Sequence, residues 1–308
     1  MSAEEDSASR ANAPVDRRFE PRLGVAIVGA VSTMFASNHV AARLAFDHGA
    51  SVATGVTARA AGTALVLFLM IKAQRVPLSV PRALAGKALV TALLIAVQSY
   101  CLYSAVARIP VALALLCFQT SPLLYVLLAW AMGKEKPGPV VFGAMLAALG
   151  GLSLALGIAG GAAGARWSEI RGGVLWAFSG AIAFALVLYS NAHSLKQIDG
   201  RVRTFVMMAV TAIVILAGGA ASHGLVLPGD GTGWLGLALL TGFYCTAMCV
   251  LFILLPRLHA SSTVALNFEP IALLGLGWLV LGQAVTPVQV CGAFLTVGAI
   301  VWLGLAKR

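Results

Sequence analysis

The sequence predicts an all-α polytopic membrane protein with ten transmembrane helices in two inverted five-helix repeats. Three observations carry this. Of the 308 residues, 60% are apolar and only 10% are charged, with a mean hydropathy of +0.93; a soluble domain carries about 25% charged residues. The apolar residues fall into runs of about 20, the length that crosses a hydrocarbon core about 30 Å thick. The second half of the chain also echoes the first.

The ten spans fall at 23–45, 51–72, 87–107, 110–132, 138–160, 172–193, 204–222, 233–255, 259–281 and 287–305. A net charge of +10 raises the question of nucleic acid, but the basic residues follow the breaks between spans. With the N-terminus inside, all of the 21 Lys and Arg lie on the cytoplasmic side except Arg43, Arg59, Arg108, Arg166 and Arg171. That is the positive-inside asymmetry, which places both termini in the cytoplasm. It orients the chain and leaves no nucleic-acid partner to invoke. Residues 1–21 are polar and read as a disordered cytoplasmic tail. The first apolar run is span-length without a convincing cleavage site, so it is an uncleaved first helix. Cys101, Cys117, Cys245, Cys249 and Cys291 all lie within spans. Cys245 and Cys249, one turn apart, lack the His or carboxylate partners of a metal site, and no metal or cofactor is expected.

The repeat is clearest where "CFQTSPLLYVLLAWAMGKE" (117–135) meets "LNFEPIALLGLGWLVLGQ" (266–283). At an offset of 148, Pro122 meets Pro270, Trp130 meets Trp278, Gln119 meets Asn267, and Glu135 meets Gln283. Earlier in each half an offset of 149 works better: "GVAIVGAVSTMFA" from Gly24 aligns with "GVLWAFSGAIAFA" from Gly173. The halves are then 22–160 and 172–308, joined by a Gly/Ala-rich external connector at 161–171. Five helices is an odd number, so the second half enters from the opposite face. Inverted repeats with a midplane site are the architecture of secondary transporters, although channels and membrane enzymes contain repeats too.

"MFASNHVAARLAF" in span 1, "TARAAGTALVLFLMI" in span 2, "LLCFQTSPLLYVLLAWAMGKEKP" in span 4 and "LNFEPIALLGLGWLVLGQAVTPVQVCGAFLTVGAIV" in spans 9 and 10 resemble the EamA-type branch of the drug/metabolite transporter superfamily. The resemblance covers nearly the whole chain outside the tail. Two departures occur at the turns, where Gln283 replaces an acid and Lys134 a glycine. What it implies is a carrier of the bacterial inner membrane. Relatives include YddG-like exporters of amino acids and exporters of other small metabolites.

The polar residues inside spans supply the candidate site. Glu269 sits about ten residues into span 9, where an ionisable group costs at least ~2.5–3.5 kcal/mol and therefore faces protein or water. It would either contact a substrate amine or take up a proton, unless it is a neutral acid bonded between helices. Pro122 and Pro270 each remove an N–H and free the carbonyl four residues back, predicting paired kinks for gating or for shape alone. At comparable depth lie Asn38 and His39 in span 1, Gln98 and Tyr100 in span 3, Gln119 and Thr120 in span 4, Tyr189 and Asn191 in span 6, Tyr244 in span 8 and Asn267 in span 9. Taken singly, each is explained by helix–helix hydrogen bonding. Taken together, they predict a cavity among spans 1, 3, 4, 6, 8 and 9, braced by 5 and 10. His39 could relay protons, although a structural hydrogen bond is the expected role. Arg43 and Arg59 are assigned to the external ends of spans 1 and 2, where arginine snorkels. No cation would then stand near a span centre to meet a phosphate.

Gly143, Ala147, Gly151 and Ala155 in span 5, with Gly292 and Thr296 in span 10, form small-residue seams for internal packing or a homodimer. No "GxSxG" or "HExxH" occurs, and Asp47, Asp199 and Asp230 lie in loops, so an enzyme is not expected. The expectation is a secondary active or facilitative carrier working by alternating access. Its solutes would be small and neutral or zwitterionic, amino acids foremost, and moved outward. The alternatives are another metabolite or drug on the same fold, or a passive channel.

Overall fold

The computed structural model of the chain describes residues 20–133, 136–155, 163–254, 268–283 and 286–306. The described elements are helices: α1 (Pro21–Asp47), α2 (Val52–Ala73), α3 (Arg82–Val106), α4 (Val111–Phe118), α5 (Ser121–Ala131), α6 (Pro139–Ala155), α7 (Ala163–His193), α8 (Gly200–Ala221), α9 (Gly231–Leu254), α10 (Glu269–Leu281) and α11 (Pro287–Ala306). Among the described residues there is no strand. Among the described residues, seven spans are long and apolar enough to cross a membrane, counting Val111–Ala131 as one; Pro139–Ala155, Glu269–Leu281 and Pro287–Ala299 are shorter apolar helices. Leu146, Ile213, Trp278 and Leu279 are exposed on the outer surface, which is the face lipid would cover. The interior is also mostly apolar, with a minority of buried polar side chains set into it.

Helix boundaries follow local chemistry. The α2 start is capped by Ser51, whose Oγ accepts from the Thr54 amide at 3.1 Å. That of α8 is capped by Asp199, which accepts from the Arg201 amide at 2.8 Å. Span 6 begins earlier than the sequence suggested, since α7 already runs from Ala163. The prolines mark the interruptions. The span Val111–Ala131 breaks between α4 and α5: Gln119 and Thr120 keep αR backbone angles in the turn between them, and Pro122 sits in the first turn of α5. Pro270 occupies the same place in α10. In a first turn the missing N–H has no partner to lose, so proline starts a helix there at little cost.

Asp199 offers a local test. Its carboxyl is held down at about 2, first by the Arg201 side chain and then by backbone amides of Arg201 and Val202. A lowered pKa means its stabilisation is complete above the ordinary value of 3.8 and is lost as pH falls towards 2. Replacing Asp199 with Ala should cost about 1 kcal/mol at neutral pH, trimmed by solvent screening at this half-exposed pair. Melting curves of the two proteins should draw together between about pH 4 and 2; a constant gap down to pH 2 contradicts the assignment.

The packing repeats under exchange of the halves. The most extensive contacts are α1 with α9, α3 with α7, α2 with α8, and α6 with α11. Exchanging the halves turns the first pair into the second and each of the last two into itself. The α6–α11 contact uses the small-residue seam: a Cβ on Gly292 would lie 2.5 Å from the Ala155 nitrogen and the Gly151 carbonyl oxygen. Thr296 Oγ1 donates to Ala148 O at 3.3 Å across it. Internal packing therefore occupies this seam.

Candidate functional site

Where α1, α2, α3, α9 and α10 converge, polar side chains meet in the bundle interior. α1 contributes Asn38, fully buried, and His39, 7% exposed. The Tyr103 hydroxyl on α3 is hydrogen-bonded to the Asn38 side-chain amide at 2.9 Å; the tyrosine ring lies 5.5 Å from the His39 ring. His39 Nε2 stands 3.3 Å from Glu269 Oε1, joining α1 of the first half to α10 of the second. Glu269 is the first residue of α10. The positive end of the helix dipole favours a carboxylate there, which helps explain why the chain tolerates it. His39 Nδ1 is buried without a hydrogen-bond partner.

Arg59 corrects the sequence reading most sharply. It neither snorkels nor pairs with an acid: it is 4% exposed, and no carboxylate among the described residues lies within ion-pair distance of it. Its guanidinium carbon lies 4.2 Å from the Tyr244 ring centroid and 5.0 Å from that of Tyr103. Nη2 donates to Ser99 Oγ at 2.9 Å, while Nε has no partner. A desolvated cation–π contact is worth about 2 kcal/mol, less than the several kcal/mol needed to keep a lone charge out of water. The sequence did contain a signal for this placement. Val56, Arg59, Ala60, Thr63, Ala64 and Leu67, all buried, recur at helical spacing, and at 1.5 Å per residue Arg59 lies about 10 Å into α2. Tyr103 and Ser99 were likewise missed, although Ser99 lies between the span 3 candidates Gln98 and Tyr100, and Tyr103 lies one turn further on beside Ser104.

The other candidates divide. Tyr244 joins the cluster through Arg59 and packs on Phe35, ring centroids 5.6 Å apart. Gln98, 8% exposed, accepts from Ser99 Oγ at 3.5 Å, the outer limit of such a bond. Thr120 is buried and spends its hydroxyl on Cys117 O at 2.7 Å, closing the turn before Pro122; Gln119 in that turn is half-buried. Tyr189 and Asn191 sit in the last turns of α7, where Tyr189 stacks on His193 at 4.4 Å and Asn191 Oδ1 is buried without a partner. Tyr100 faces elsewhere, into a cleft of about 440 Å³ with Ser51, Ser104 and Arg108. Asn267 lies outside the described residues. Among the described residues, no group of three His, Cys, Asp or Glu could hold a metal.

One end of the bundle is tied by polar contacts between helices. Arg43 binds Asp47 at 2.8 Å and donates to the carbonyls of Val106 and Ile109 at 3.0 and 3.3 Å. Ile109 fills the space beside Gly173, where a Cβ would stand 2.4 Å from its Cγ2. Gln283 Oε1 accepts from the Val111 amide at 3.2 Å, tying α10 of the second half to α4 of the first. A neutral amide, not an ion pair, makes this tie. Gln283→Leu should loosen this end: the Val111 amide would lose its partner at a cost of about 1–3 kcal/mol. Maleimide labelling of Ala112→Cys from that side should quicken; an unchanged rate would show that the bond does not hold the end shut.

Apolar helices around a buried polar cluster, packed as two like halves, define a multi-pass membrane protein. The sequence profile of the EamA-like transporter family matches residues 22–157 and 171–305, the bulk of both halves. The chain belongs to this family and is a membrane transporter of small molecules, in a family whose members are generally not enzymes. Sixteen solved chains share its fold. One crystal structure superposes with a TM-score of 0.60 at 20% identity, over 92% of this chain and 99% of that one, a likeness of fold alone. No curated protein matches it.

Proposed function

We propose that the protein carries small zwitterionic metabolites, amino acids foremost, out of the cell across a bacterial inner membrane by alternating access. The observation that carries this reading is the His39–Glu269 contact between the two halves, in the same buried cluster as Arg59. A solute held there touches both halves, so rocking one against the other changes the side from which it is reached. One acid and one cation suit a solute bearing one charge of each sign. A dianionic phosphate would face Glu269 unfavourably, whereas a neutral drug would leave Arg59 uncompensated. The symmetric packing and the paired Pro-led helices α5 and α10 support ten spans in inverted repeats. The distribution of Lys and Arg supports cytoplasmic termini, and the outward direction and YddG-like character are part of the proposal, suggested by the likeness of the sequence motifs alone.

Counterflow in proteoliposomes tests this. Vesicles loaded with mixed unlabelled amino acids should transiently accumulate a labelled amino acid from outside, and vesicles loaded with sugar phosphates should not. Accumulation driven only by sugar phosphates, or non-saturating flux without counterflow, would overturn the substrate class or the carrier mechanism respectively.

A further inference from the structure

A buried guanidinium with no counter-ion among the described residues requires an explanation. Arg59 is held from two sides by the Tyr103 and Tyr244 rings and from a third by Ser99; none of these cancels its charge. The donor left open is Nε. In arginine, Nε–H and one Nη–H form the planar edge that matches two carboxylate oxygens at once. The nearby acid, Glu269, is engaged by His39 instead. The site thus presents a desolvated cation whose Nε–H is unsatisfied and whose neighbouring Nη2 is held only by the Ser99 hydroxyl, beside a cluster shared by both halves.

We propose that Arg59 is the anion-recognition residue of the carrier, receiving the solute carboxylate between Tyr103 and Tyr244. This deepens the zwitterion reading and rests on it: Glu269 meets the ammonium end and Arg59 the carboxylate end. The aromatic pair narrows the approach to the guanidinium, so a planar carboxylate fits better than a bulky tetrahedral oxyanion. A methyl ester keeps the ammonium but loses the charge and one acceptor oxygen, and should bind poorly.

The test is thermal unfolding of the purified full chain in mild detergent, titrated with leucine, phenylalanine and threonine, with each methyl ester, and with malate and inorganic phosphate. The wild-type protein should be stabilised by at least one amino acid and not by its ester. In Arg59→Gln the half-saturating concentration of that amino acid should rise at least about tenfold, as expected for loss of a charge-assisted bidentate contact. Arg59→Lys keeps the charge and loses the fork, giving an intermediate value; it decides the matter if the glutamine variant does not fold. An amino-acid response unchanged in a folded Arg59 variant would overturn the assignment while leaving the carrier reading intact. Stabilisation by malate or phosphate alone, abolished in Arg59→Gln, would keep the anion site and discard amino acids. No stabilisation by any of these solutes would overturn the assignment.

Discussion

Glu269→Gln should raise the counterflow KM for a zwitterionic amino acid by roughly 10- to 150-fold. That corresponds to about 1.5–3 kcal/mol for a hydrogen bond to a charged group. The change is nearly isosteric, and the glutamine carbonyl can still accept from His39 Nε2, 3.3 Å from the present carboxylate oxygen. Melting temperature should therefore move little while apparent affinity falls. The split matters, because a purely structural acid would lower both together. Glu269→Ala is the harsher control: it leaves both ring nitrogens of His39 without partners, since Nδ1 already lacks one. Adding His39→Ala to each variant completes a cycle that separates the pair from its members. Should Glu269→Gln keep its counterflow KM but lose accumulation driven by a pH gradient, the carboxylate carries protons and does not contact the amine.

Gly292→Leu should largely prevent assembly. A Cβ there would meet backbone of α6 at 2.5 Å, and backbone cannot rotate aside as a side chain can. The helices would have to separate, losing the Thr296–Ala148 bond and the close packing that holds membrane helices together without a hydrophobic drive between them. Overpacking typically costs 1–3 kcal/mol, and this case adds a lost hydrogen bond. Gly298 on the same helix faces open space, so Gly298→Leu is the matched control. The expected result is aggregation or a much lower melting temperature for Gly292→Leu, and a monodisperse protein for Gly298→Leu. Equal behaviour would mean the seam is not what joins α6 to α11.

The two arginines of the first half show where reading from the sequence stops. Arg43 and Arg59 look alike in sequence, each a short way into an apolar span. Arg43 reaches the carbonyls of Val106 and Ile109 at the bundle end, close to where the sequence put it. Arg59 turns inward to Tyr103 and Tyr244. The prolines were more legible: the sequence paired Pro122 with Pro270, and at Pro122 the missing N–H goes with an interruption of the span, where Thr120 closes the turn onto Cys117.

The sequence alone determined that this chain is helical, lies in a membrane and is built from two like halves. Those properties are summed over many residues: apolar runs, loop charges and a repeat offset. The tertiary structure alone decided which polar residues share a site. Whether Glu269 meets His39, and whether a buried cation stands nearby, depends on the rotation of each helix about its axis. In helices apolar nearly all round, no sequence stripe records that rotation; the packing of small residues against neighbouring backbone sets it.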